Sequence, residues 1–212
     1  MSSPPMSGRK AQAARNDELI LQAARAVFTA DPGAPIAAVA EKAGVGISAL
    51  YRRYPSKEAL LQKLCGDGLK LYIEVAERAL ADESDPWESF AAYLRGIVEA
   101  DSSSLTIKLA GTFTPTEELG RDAARASALA VEAHGRAVAA GVLRPDVTPA
   151  DIALLFEQLA SIKLGGDERA AQLRQRYLTL AMDALRVPPA HRDLPGPPPA
   201  DAELATRWRP QV

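Results

Sequence analysis

Residues 35–61 read PIAAVAEKAGVGISALYRRYPSKEALL. Pro35 suits the first position of a helix, where a missing N–H costs nothing. Ile36, Val39, Ala40 and Ala43 then share one face of a short helix. Gly44-Val45-Gly46 leaves room only for a tight turn. A second short helix, Ile47 to Tyr54, turns Ile47, Leu50 and Tyr51/Tyr54 inward or sideways and leaves Ser48, Ala49, Arg52 and Arg53 outside. Pro55 breaks the chain and Ser56 can cap the next helix. Two short helices joined by a glycine-containing turn have the build of a helix-turn-helix, whose second helix enters the major groove of double-stranded DNA.

Upstream, Met1–Gly8 reads as a disordered lead, followed by a small basic arm at Arg9, Lys10 and Arg15. From Asn16 an amphipathic stripe (Leu19/Ile20, Ala23/Ala24, Val27/Phe28) runs to the stop at Asp31-Pro32-Gly33. Downstream, a long helix spans Lys57 to about Ala81 with Gly66 and Gly68 inside it, as a soft point or as packing residues. Asp85-Pro86-Trp87-Glu88 restarts the helix with a cap, a proline and a glutamate in order. Thr114-Pro115-Thr116-Glu117 and Thr148-Pro149-Ala150-Asp151 repeat that grammar, leading to Gly141 and Gly165-Gly166, and Asp167 can cap a last helix to about Arg186. Beyond Val187, the stretch 188–199 holds six of the sixteen prolines (188, 189, 195, 197, 198 and 199) and marks an extended or disordered tail. No period-2 strand competes. The expectation is an all-α chain: arm 1–15, three-helix head 16–56 with a linking helix beginning at 57–66, helical body 67–187, tail 188–212.

The 212 residues are 47% hydrophobic and 25% charged, an ordinary globular balance. No run approaches the roughly 18–20 apolar residues that span a bilayer, and the first ten residues lack the apolar centre of a signal peptide. The cytoplasm is the expected location, with no membrane partner. One cysteine, Cys65, excludes an internal disulfide framework and a multi-cysteine zinc site, and no cofactor is expected. Residues 1–66 carry nine Lys/Arg against five Asp/Glu, although the whole chain is at −2. A basic head on an acidic body suits a polyanion at one end.

At Val39-Ala40, Ala43-Gly44-Val45, Leu50-Tyr51, Tyr54 and Ser56-Lys57 the chain resembles, in register, the hallmark of the TetR family of regulators. Ala140–Asp146 also looks like the loop before the family's dimerisation helices. The resemblance implies a dimeric repressor that grips a palindromic operator through the head and is released by a small-molecule effector bound in the body. It also implies that Tyr51 and Lys57 touch phosphates and that Ser48, Arg52 and Arg53 lie nearest the groove, with Ala49, Arg9 and Lys10 as further DNA-side candidates. Gly46, Ala49 and Pro35 depart from the hallmark, each removing a hydroxyl.

Plain alternatives stand beside these readings. Tyr54 fits the core, Arg53 fits a solvated surface, and Arg9 and Lys10 fit a solvated arm. Lys57 sits badly for the helix dipole, which points to an anionic partner. The helix from Pro149 is apolar nearly all round. With the last helix it could form a dimer interface at Ile152, Leu155, Phe156, Leu159, Leu173, Tyr177 and Leu180, or it could be ordinary core. Phe90, Tyr93, Leu94, Ile97, Leu109 and Phe113 are candidates for an apolar pocket or for plain core. His134 reads as a surface or satisfied histidine and Cys65 as packed. An enzyme would need more than His134, His191 and a lone Gly-x-Gly at Gly66-Asp67-Gly68. A helical adaptor that has lost DNA binding, and an activator in place of a repressor, stay open.

Overall fold

The computed structural model describes residues 8–82, 85–100, 105, 109, 111–187, 194–200 and 202–203. Within them lie eight helices and no strand beyond one isolated bridge, Leu143 to Arg186. The helices are α1 (Gly8–Ala30), α2 (Ile36–Ala43), α3 (Ile47–Arg53), α4 (Lys57–Leu80), α5 (Pro86–Glu99), α6 (Glu117–Ala139), α7 (Pro149–Ala160) and α8 (Asp167–Leu185).

Local chemistry accounts for the ends. The Ser56 hydroxyl accepts from the Ala59 N–H, Asp85 from Glu88 and Thr116 from Leu119, each satisfying a donor left free in a first turn. Thr148 and Asp151 form a full capping box on α7. Gly44, at φ 65°, closes α2 in the left-handed conformation, with its N–H directed to the Ala40 and Glu41 carbonyls.

Several boundaries differ from the sequence expectation. Residues 8–15 are not a disordered arm but the first turns of α1; alanines at 11, 13 and 14 and the Gln12–Asn16 and Arg15–Gln12 bonds favour helix there. The side chains of Arg9 and Lys10 lie outside the described residues. Pro35 is the extended cap of α2, not its first helical residue. Thr116, not Thr114, caps α6, so Pro115 stays outside that helix. α7 ends at Ala160, five residues before the glycine pair, and Gly166 rather than Asp167 precedes α8. The first seven residues and most of the tail fall outside the description.

Two apolar cores divide the molecule. The head core gathers Ile20, Ala24 and Phe28 of α1, Val39 and Ala40 of α2, Leu50 of α3, and Leu60, Leu61, Leu64 and Cys65 of α4. The body core gathers the end of α4 with α5, α6, α7 and α8 around Phe90, Tyr93, Leu94, Ile97, Leu129, Phe156 and Leu178. α4 runs unbroken through Gly66 and Gly68 and contributes to both. The connection between α5 and α6 also joins the head: Leu105, Leu109 and Phe113 pack there, with Leu119 from the first turn of α6. Thr114 fastens that connection to α4, its carbonyl accepting from Gln62 and its N–H donating to Glu58.

Candidate nucleic-acid interface

α3 has seven residues, and its one buried side chain, Leu50, is 0% exposed. Ile47 and Tyr51, four apart, are 40% and 46% exposed, and Ser48 and Arg52 beside them are exposed too. These four share one outward face, since positions three and four apart neighbour each other on a helix. Ile47, expected to turn inward or sideways, lies on the exposed side. Ala49 is half-buried.

Arg53 does not reach outward as a free cation. Its Nε and Nη2 donate to the two carboxylate oxygens of Asp17 on α1 at 2.9 and 2.8 Å, and the Tyr54 hydroxyl donates to the same carboxylate at 2.6 Å. The Arg53 bonds hold the Asp17 carboxyl below its usual range and the pairing pushes the guanidinium up; burial, then the hydrogen bond to Asp17, raises the Tyr54 phenol. This strut ties the end of α3 to α1. Tyr54 is core, as its plain reading held.

Lys57 is likewise engaged. Its ammonium donates to the Pro32 carbonyl at 3.0 Å and lies 5.2 Å from the centre of the Phe28 ring. A lone carbonyl and a ring face compensate the cation near the helix start, so an anionic partner is not needed to explain it. Two ammonium protons remain uncommitted to that bond.

In the body, a cavity of about 130 Å³ lies among α4, α5, α6 and α7. Tyr72, Phe90, Tyr93, His134, Ile152 and Phe156 line it, with Ala130, Ala153 and Pro149. The Tyr72 and Tyr93 hydroxyls are hydrogen-bonded to each other, and His134 Nε2 lies 2.7 Å from the Val147 carbonyl.

Residues 20–64 match the family model described as bacterial regulatory proteins, tetR family. The fold matches a TetR transcription regulatory protein from Mycobacterium vanbaalenii at 28% identity and a TM-score of 0.53, over 84% of this chain and 99% of that one. It also matches a TetR transcriptional regulator from Streptomyces coelicolor at 26% identity and 0.55, over 82% and 99%. Residues 20–64 thus match the N-terminal module of the TetR family, and the chain is similar over most of its length to TetR-type regulators. It is a DNA-binding transcriptional regulator. Regulators of this family are in general not enzymes. A third likeness, the TetR-like regulator LfrR from Mycobacterium smegmatis in complex with proflavine, has 22% identity and a TM-score of 0.57 over 78% and 95%, and it shares the fold. Among curated proteins none matches.

The structure redistributes the remaining residues expected at sites. Phe90 and Tyr93 do line the cavity, whereas Leu94 and Ile97 are fully buried beside it as core. Leu109 and Phe113 belong to the head core instead, because the chain after α5 turns back onto α4. Ile152, Phe156 and Leu159, expected at a dimer interface, are buried within their own chain; α7 spends its widest apolar face on α5, α6 and α8. Leu155 and Leu173 are half-buried, and Tyr177 and Leu180 are 52% and 56% exposed. His134 is satisfied, as read, but it also faces the cavity, and Tyr72 was not foreseen at all. Its only signal in the sequence was an aromatic on the linking helix. No helix among the described residues is long and apolar enough to cross a membrane.

Proposed function

We propose that this chain is a TetR-family repressor that holds an inverted-repeat operator as a homodimer and lets go when a small molecule enters the body. The observation that carries the reading is the continuity of α4. Its first turns, with Leu60, Leu61 and Leu64, build the head, and Tyr72 farther along the same rod lines the cavity. A ligand that displaces Tyr72 tilts the head and changes the balance between DNA-competent and released poses.

Ile47, Ser48, Tyr51 and Arg52 meet the DNA, Ser48 and Arg52 by hydrogen bonds to phosphates or base edges. The uncommitted protons of Lys57 add a phosphate contact, and Arg53 acts by positioning α3. One recognition helix per chain reads one half-site, and a twofold dimer supplies the second. Support for the dimer is the stripe Leu173, Tyr177, Leu180 and Ala184 on α8, opposite the inward row Ala170, Arg174, Leu178 and Met182. The cytoplasm, where DNA is accessible, is its place of work.

Selection from random duplexes is the test. Recovery of inverted repeats, with Arg52→Ala relaxing the preference, is the expected result. Equal binding to every sequence would sink the readout and favour an adaptor that retains the head without its recognition.

A further inference from the structure

We propose that the body cavity takes an uncharged single-ring aromatic molecule bearing one hydroxyl group, seated between the Tyr72–Tyr93 pair and His134. The claim about binding stands on the cavity alone; its consequence for DNA rests on the ligand-release reading above.

Size comes first. At about 130 Å³ the space is comparable to an apolar cavity of about 150 Å³ that holds benzene, and it is too small for a fused tricyclic. Shape agrees. Tyr93 meets Phe156 edge-on at 6.1 Å and Phe90 at a tilt at 6.0 Å, and rings set at such angles accept a further ring between edge and face.

Charge is excluded by what the walls lack. No Asp, Glu, Lys or Arg is among the lining residues, so an ionised group would meet no permanently charged side chain there. Burial pushes both phenols up, keeping them as neutral hydroxyls.

The polar groups then specify the ligand's own. A hydroxyl pair commits one of its two protons to the internal bond and leaves the other to donate. His134 faces a backbone carbonyl through Nε2, which must carry a proton, so in the neutral tautomer Nδ1 is the ring's acceptor. One donor and one acceptor among apolar walls suit a hydroxyl, which accepts and donates through a single oxygen. A carbonyl uses only the donor, and a hydrocarbon uses neither.

Titration calorimetry on the full-length protein with p-cresol, toluene, benzoate and proflavine reads this directly. The expected result is p-cresol binding about tenfold more tightly than toluene, with benzoate and proflavine weaker still. Tyr72→Phe, which keeps the ring, should bring p-cresol to the level of toluene. Ala153→Leu, which fills the space, should weaken both by about tenfold or more without lowering helix content. Tighter binding of benzoate or proflavine than of p-cresol overturns the proposal, as does undiminished p-cresol binding in Ala153→Leu, or no p-cresol binding at all. A parallel titration on the selected operator separates the two readings. If p-cresol binds as expected and DNA affinity does not change, ligand release falls while the chemistry of the cavity stands. If a charged or larger compound releases DNA and p-cresol does not bind, the cavity proposal falls alone.

Discussion

Helices α2 and α3 have eight and seven residues, whereas α4, α6 and α8 have 24, 23 and 19. Helices shorter than about 12–15 residues are marginal on their own in water. The head therefore depends on tertiary fastening: Val39, Ala40 and Leu50 in its core, the Arg53–Asp17–Tyr54 strut, and Lys57 bound to Pro32. The body's long helices hold themselves through their own ladders and caps, and they can leave a void beside Tyr72 and Tyr93 without losing form. A surface that must match a rigid groove is fastened tightly, and a surface that must admit a guest is left incomplete.

The strongest way to break this comparison is Leu50→Ala. It empties the only buried anchor of α3 and should cost about 2–5 kcal/mol. Thermal unfolding followed by circular dichroism should show an early partial transition, with DNA binding lost and p-cresol binding kept. A single transition with an unchanged midpoint would mean the head does not hang on that residue.

Gly96→Ala tests whether the body is loose everywhere or only at its cavity. A Cβ at Gly96 on α5 would stand 2.5 Å from Val75 Cγ1 on α4, so the expected loss is about 1–3 kcal/mol. A neutral result in a denaturant titration would show that α4 and α5 can part more easily than their close approach implies.

Asp17→Asn sharpens the view of the strut. The pair is partly exposed on the Arg53 side, so the expected destabilisation is about 1 kcal/mol at neutral pH, near the upper end for such pairs. DNA affinity should fall as well, since α3 loses its brace. The folded-state carboxyl lies below its unfolded value of about 3.9. Its contribution is therefore present above that pH and lost as pH falls through the lower folded value. Melting curves from pH 6 downward should be flatter at the acid end in the variant than in the wild type.

Gly66→Ala should give the smallest change, a gain of up to about 1 kcal/mol in melting stability, because nothing lies within 4 Å of the added methyl and Ala is the better helix former. A loss would show that the glycine relieves a strain in α4.

What the sequence made legible was local. Ser56, Asp85, Thr148 and Gly44 each announce a helix end through a side chain or a backbone freedom that acts within three or four residues, and all four act as expected. The turn between α2 and α3 was readable for the same reason. What stayed hidden was which partner each apolar face would meet. Leu109 has the helical spacing of a body residue but packs in the head, because the chain doubles back after α5. α7 is apolar on so many sides that its period gives no direction, and Ile152 and Phe156 turn into the cavity rather than toward a second copy. Arg53 looks like a hand for DNA until Asp17, 36 residues away, is brought beside it.

The placement of Leu105, Leu109 and Leu119 against Leu60, Leu61 and Leu64 bears on how such regulators can be recombined. A chimera that takes residues 1–66 from this chain and everything else from a relative would transplant a head missing part of its filling, with foreign side chains pressed into the gap. The portable unit is discontinuous: the first 66 residues together with the return segment from 105 to 119. Engineers exchanging specificities should cut at three points in the gene rather than at one, or expect a graft that reads its operator poorly even though every DNA-facing residue has been carried across.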